Sequence, residues 1–207
     1  MSTTMTAEKV DIDQKIQELR ELFADAPEVG KVALENAIRG ATLTLPDRKM
    51  ESAGRVGSRV GKVSELTIIV PLAPGGAKRL RAFLQLLHGN LAPGADLVGT
   101  LHDMRFVFLD NDTKLLFATA YDGDWDAYID DFATKIPDAL DILFCNAVGW
   151  PGTRSPKVKD WIAGHQLAAE SWYVASPNLT VAETQRLERI GKALDEFLDK
   201  INRKSVV

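Results

Sequence analysis

The sequence has few of the residues that carry the most easily recognised chemistry. Its 207 residues include one cysteine, Cys145, and three histidines. A single cysteine excludes an intramolecular disulfide and any zinc or iron–sulfur site built from several cysteines. His88, His102 and His165 do not lie at the spacings that metal ligands share, so we expect no metal site.

Long apolar runs are also missing. The longest, residues 66–73 and 142–145, are far shorter than the roughly 20 residues that a membrane helix needs. The first nine residues contain no apolar stretch of the kind found in a secretory signal. We therefore expect a cytoplasmic protein that does not associate with membranes.

The charge balance argues against a general nucleic-acid binder. The chain has 25 basic and 29 acidic residues, a net charge of −4. Basic residues gather between positions 46 and 81, whereas aspartates gather between 103 and 141. Two interpretations of this asymmetry stay open: two solvated surfaces of opposite sign, or a basic loop at 46–62 that attracts an anion.

The apolar periodicity of the first 62 residues predicts a helical extension followed by a loop. Ile12, Ile16, Leu19 and Phe23 form one stripe on a helix, and residues 27–39 predict a second helix that ends at Gly40. Residues 46–62 are rich in glycine, serine and arginine, which is typical of a loop.

The middle of the chain predicts strands and helices in the order β-α-β-β-α-β. The strands are expected at 66–71, 101–109, 114–121 and 142–148, with Cys145 buried in the last, and helices follow Gly76 and Asp124. This order predicts an α+β fold, an antiparallel sheet with both helices on one face. We expect an N-terminal helical extension and basic loop at 1–62 and an α+β core at 63–152. Residues 153–207 are expected to add a strand and helices that pack on the core, the final helix beginning at a capping box of Thr180 and Glu183.

Both faces of the predicted hairpin are apolar, although two helices can cover only one. A two-residue turn at 111–112 would place Phe106 opposite Phe117 and His102 opposite Tyr121. Because each exposed phenylalanine forgoes about 1.5–3 kcal/mol of burial, this face should be covered by the terminal helices, an apolar ligand or a second copy of the chain. We favour a homodimer with a small ligand pocket, and the expected ligand-binding residues are Met104, Phe106, Phe117, Thr119 and Tyr121.

Two polar residues of the first hairpin strand are candidates for chemistry. His102 either shuttles a proton or ligates haem iron, or it satisfies a structural hydrogen bond at the strand end. Arg105 either forms an ion pair with a neighbouring aspartate or anchors a carboxylate or peroxide. We take His102 and Arg105 as the candidate catalytic residues.

The hairpin and the segments after it resemble a known superfamily. Residues 100–110 (TLHDMRFVFLD), residues 115–124 (LLFATAYDGD), the Trp150-Pro151-Gly152 turn and residues 173–181 (YVASPNLTV) are similar to a branch of the dimeric α+β-barrel superfamily of ferredoxin-like proteins. That superfamily includes dye-decolorising peroxidases, chlorite dismutases, quinone-forming monooxygenases and ligand-binding proteins. The resemblance implies a ferredoxin-like homodimer that binds a small apolar or aromatic ligand. The alternative that it implies is an oxidoreductase, with haem or without a cofactor, that uses His102 and Arg105.

Overall fold

A computed structural model describes residues 2–40, 50–87 and 91–204, with side chains for 12–40, 50–87 and 91–201. The chain divides into two compact units, Met1–Asp47 and Arg48–Val207. The segments at 41–49 and 88–90 lie outside the described residues, and with them the first part of the expected basic loop.

The first unit consists of two helices, as the apolar stripes predict. Helix α1 spans Ser2–Leu22 and α2 spans Glu28–Gly40. Arg20 donates two hydrogen bonds to Glu35 at 2.7 and 3.0 Å, and these bonds hold the pKa of that carboxyl below its usual value. Between residues 12 and 40 no side chain is buried, so this pair of helices has no closed core of its own.

The second unit contains a five-stranded antiparallel sheet. Its strands are β1 (Glu51–Ser52), β2 (Ser58–Val60), β3 (Val63–Pro71), β4 (Leu101–Leu109) and β5 (Lys114–Asp122). Their order in the sheet is β1-β2-β3-β5-β4. The strands β1 and β2 lie within 46–62, where the sequence predicts a loop. Together these strands contain five residues, too few for the alternation of apolar and polar side chains that identifies a strand in a sequence.

Most helices of this unit pack on one face of the sheet. They are α3 (Gly76–Leu86), α4 (Ala92–Val98), α5 (Trp125–Lys135), α6 (Pro137–Phe144) and α7 (Val158–Gly164). The core lies between them and the central strands β3 and β5, and α5 contributes Trp125, Tyr128, Ile129 and Phe132, the four residues that its periodicity predicts. The chain is thus an α+β protein, as the sequence predicts.

The hairpin of β4 and β5 has the predicted register over most of its length. Phe106 pairs with Phe117, and Met104 pairs with Thr119. The turn holds Asp110, Asn111 and Asp112 in the left-handed region, with φ of 51°, 54° and 65°, a conformation that Asn and Asp adopt more readily than most residues. The register breaks at the other end, where Leu101 rather than His102 lies opposite Tyr121.

The fourth predicted strand, 142–148, does not form: its first three residues end a helix and the rest lie in a turn. Residues 137–144 form α6, with Pro137 at its first turn, and only Ala147 makes an isolated bridge, to Leu72. The physical reason is the spacing of Leu140, Leu143 and Phe144, which all face the core from one side of a helix. Cys145 follows α6 and is exposed rather than buried in a strand.

The two faces of the hairpin are the reverse of those expected. Phe106 and Phe117 point toward the helices, and the Phe117 ring meets Phe144 of α6 edge-on with centroids 5.2 Å apart. The aromatic side chains of α5 and α6 bury more apolar surface against these phenylalanines than they would against the alanines of the other face. Ala118 and Ala120 therefore lie on the face away from the helices.

The chain ends in a long helix, α8 (Val181–Lys204), which begins at the predicted capping box. Thr180 and Glu183 exchange hydrogen bonds, since Glu183 accepts from the Thr180 amide at 2.8 Å and Thr180 Oγ1 accepts from the Glu183 amide at 3.2 Å. In the part of the chain that the structure describes, no helix has both the length and the apolar character of a membrane span.

Candidate functional site

The face of the sheet opposite the helices is partly covered by the segment between α7 and α8. This segment first extends the sheet, because the Leu167 amide donates to Thr67 O at 2.9 Å and the Ile69 amide donates to His165 O at 3.2 Å. Residues 172–179, which we call the strap, then line a cavity together with residues of β3, β4 and β5. The strap thus forms the second wall of a site whose first wall is the sheet.

The far end of the strap is held against the tight turn between β2 and β3. The Lys62 amide donates to Pro177 O at 2.7 Å. Gly61 has φ of 65°, and a Cβ at that position would overlap the Pro177 carbonyl. Glycine at 61 therefore permits both the turn and the close approach of the strap.

A β-bulge directs His102 toward the end of the neighbouring strand. Leu101 pairs with Tyr121 and Asp103 pairs with Ala120, so His102 is the extra residue between them. Its Nε2 lies 2.8 Å from Asp122 Oδ1. The bulge therefore creates an aspartate–histidine pair that a regular register would not have formed.

Asp122 also connects this pair to helix α8. Its second oxygen, Oδ2, accepts a hydrogen bond from the Val181 amide at 2.9 Å. A carboxylate is favourable there because the first amides of a helix carry partial positive charge. The imidazole is thus oriented by a carboxylate that is itself held by the first residue of the helix.

An ion pair ties the same helix end to the turn between β2 and β3. Lys62 Nζ lies 2.8 Å from both carboxylate oxygens of Glu183. The hydrogen bonds from Lys62 and from Thr180 lower the pKa of Glu183 to about 2. Glu183 is therefore still ionised at pH values at which an ordinary glutamate is half protonated.

The cavity beside His102 has a volume of about 330 Å³, at the lower end of the range for small-molecule sites. It has aromatic, aliphatic and polar walls. Its lining includes Trp172 and Tyr173, the small apolar residues Val63, Ala120, Val174, Ala175 and Leu179, and the polar residues His102, Asp103, Ser176 and Thr184. Such a space accommodates a molecule of one or two aromatic rings.

Of the residues predicted from the sequence, only His102 lines this cavity. Arg105 has a side chain that is 63% exposed and pairs with Asp103 at 3.4 Å, so it forms a surface ion pair. The expected ligand-binding residues Met104, Phe106, Phe117, Thr119 and Tyr121 pack toward the helices instead.

The interior around Phe117 is close-packed. A void of about 20 Å³ is lined there by apolar side chains of β3, α5, α6 and α7, Phe117 among them. That volume is about the size of one water molecule and too small for a ligand. Tyr121 stacks on Tyr128 with centroids 3.7 Å apart, and burial raises the pKa of both phenols.

Two residues of the cavity region, Asp122 and Tyr173, are not predicted as site residues from the sequence, whereas Trp172 is one of four tryptophans that the sequence offers as core anchors or as a ligand cage. The sequence offers Asp122 as part of a turn and as one of several carboxylates that could pair with Arg105, although a carboxylate at the end of a strand next to a histidine-bearing strand also indicates an aspartate–histidine pair. The two aromatic residues fall in residues 169–175, which the sequence predicts as a strand. The structure has an irregular segment there instead, and this segment lies against the sheet.

The basic residues of 50–62 are neutralised by neighbouring carboxylates. Arg59 lies 2.7 Å from Asp124, and Arg55 forms an ion pair with Asp160. With Lys62 held by Glu183, three of the bases that the sequence offers for an anion are already paired. This arrangement favours the interpretation of a solvated surface over that of an anion-binding loop.

The haem that the superfamily resemblance implies does not fit these residues. One feature agrees with haem ligation, namely a histidine whose ring is hydrogen-bonded to a carboxylate. The cavity, however, has the volume of one or two aromatic rings rather than of a tetrapyrrole, and Arg105 is not among its lining residues.

Comparisons with known proteins add no indication of function to the geometry of the site. No protein-family model matches the chain, and searches of curated proteins and of solved structures give no match.

Proposed function

We propose that the protein binds a small, neutral aromatic molecule in the cavity between the sheet and the strap. The observation that carries the proposal is a cavity of about 330 Å³ with aromatic walls and an imidazole whose orientation is set by Asp122. Sites of this kind combine apolar walls with a few directed polar groups. The class of ligand is the one expected from the sequence, but the proposed site is on the other face of the sheet.

The chemistry of the walls indicates which molecules fit. Trp172 contributes a half-buried aromatic side chain to the lining, Tyr173 contributes one that is 83% exposed, and Val63 and Ala120 form an apolar floor. Because Asp122 engages Nε2 of His102, the nitrogen left for a ligand is Nδ1. The carboxylates of Asp103 and Asp122 disfavour an anionic ligand, so a phenol suits the site better than a benzoate.

The proposal is tested by titrating phenol, 2-naphthol and benzoate into the full chain and recording backbone amide NMR spectra. We expect the two hydroxylated probes to bind with a dissociation constant of about 1 mM or lower and to shift the amides of Ala120 and of the strap. Replacing His102 by phenylalanine keeps a ring but removes one hydrogen bond, so affinity should fall about tenfold.

His165→Phe is the matched control, since His165 contacts Trp161 and is not among the lining residues of the cavity. It should leave binding unchanged. Hydroxylated probes that shift no amide around the cavity, or equal losses of affinity in the two variants, would show that the proposal is wrong.

The hydrogen bond between Asp122 and His102 favours a second candidate, an oxidoreductase without a cofactor. A carboxylate-oriented imidazole is the usual form of a general base, and His102 would accept one proton of a quinol bound in the cavity. Molecular oxygen would take the two electrons and, with that proton and the second one, leave as hydrogen peroxide while the quinol becomes a quinone. The test is oxygen consumption with hydroquinone, which His102→Ala should abolish. Haem added to the same protein should give no stoichiometric Soret shift, and a shift that depends on His102 would reverse our conclusion about haem.

A further inference from the structure

Helix α8 carries an apolar stripe that remains exposed. Every residue from 185 to 201 is exposed, and the large apolar side chains of the stripe are 45–58% exposed. They are Leu187, Ile190, Leu194, Phe197, Leu198 and Ile201. A helix whose apolar residues form one face needs a second surface to cover them.

The spacing of the stripe specifies what kind of surface covers it. Positions 187, 190, 194, 197 and 201 alternate by three and four residues, which is the heptad repeat of helices that supercoil around one another. The flanking positions Gly191, Ala193 and Leu198 carry no charge and widen the apolar face. The pattern therefore indicates another helix as the partner.

The charges on the rest of α8 argue against a lipid surface. Between residues 185 and 201 the polar side contains four basic residues (Arg186, Arg189, Lys192, Lys200) and four acidic residues (Glu188, Asp195, Glu196, Asp199). Helices that lie on membranes have a polar face dominated by lysine and arginine. A balanced polar face is instead typical of the outer surface of a helical bundle.

The apolar area is sufficient for self-association. Six large side chains that are each about half exposed present on the order of 500 Å² per helix, so two helices bury on the order of 1,000 Å², which meets the threshold for a specific interface. We propose that α8 pairs with α8 of a second copy of this chain through the heptad stripe. The pairing is independent of the cavity beside His102.

The test is the mass of the full chain in solution, measured by light scattering over a concentration series. We expect twice the 22.7 kDa subunit mass. The double variant Leu194→Gln with Phe197→Gln, which alters two exposed side chains, should raise the dissociation constant at least about 100-fold. A matched variant on the polar side, Arg189→Gln with Glu196→Gln, introduces the same residue into the same helix and should leave the mass unchanged.

Two results would overturn the inference. One is a chain of 22.7 kDa at every concentration, and the other is a stripe variant that keeps the wild-type mass. Near-ultraviolet circular dichroism of the buried core, where Trp125 is fully enclosed, verifies that each variant remains folded.

Discussion

Replacing Asp122 with alanine should weaken the second unit by about 2 kcal/mol. The Val181 amide, which donates to Asp122 at 2.9 Å, would lose its acceptor. An unsatisfied donor costs about 1–3 kcal/mol, toward the lower end for a half-buried group such as this one. The loss of a negative charge at the helix N-terminus adds about 0.3–1 kcal/mol.

The loss of unfolding free energy is measured by urea denaturation, with tryptophan fluorescence as the signal. A change of about 2 kcal/mol corresponds to a melting temperature about 4–8 °C lower in a unit of this size. Asp122→Asn keeps one acceptor oxygen but removes the charge, so about 1 kcal/mol should be lost. Asp138→Ala is the control, because that side chain is 82% exposed and its ion pair with Arg154 is a surface pair expected to contribute less than about 1 kcal/mol.

Two results would contradict this prediction: a loss of less than about 0.5 kcal/mol for Asp122→Ala, or an equal loss for Asp138→Ala. Either result would mean that Asp122 does not anchor α8. The orientation of His102 would then need another explanation.

Two further predictions concern carboxylates. Asp141 accepts hydrogen bonds from Trp150 Nε1 and from the amide and hydroxyl of Thr153 at 2.7–2.8 Å, so Asp141→Asn should destabilise by about 1–2 kcal/mol, and an unchanged urea midpoint would contradict this. Burial alone would raise the pKa of Asp141, but those hydrogen bonds lower it overall. Glu183 has a pKa of about 2 when folded against 4.5 ordinarily, so its stabilisation is complete above about pH 4.5 and is lost as the pH falls toward 2. Glu183→Gln should therefore make the melting temperature less dependent on pH between 4.5 and 2, and equal slopes in the two proteins would contradict the assignment.

Local sequence patterns were sufficient for the elements in which one period is clear. The stripes of α1, α5 and α8 and the capping box at Thr180 predict helices that the structure contains. The register of the hairpin follows from its turn residues, since a turn limits how two adjacent strands pair. Prediction failed for α6, where an apolar run of a few residues fits a strand and a buried helix equally well.

The sequence by itself determined the α+β class, most of the hairpin register and the apolar stripe of α8, because each depends on residues close together in the chain. That the stripe is exposed rather than packed on the core is a finding of the structure. Only the tertiary structure decided which hairpin face the helices cover, because both faces are apolar and the choice depends on how well distant aromatic side chains pack. The cavity is likewise a tertiary feature. It needs the bulge at His102, the carboxylate of Asp122 and the strap at 172–179, which are separated by up to 77 positions and meet only when the chain folds.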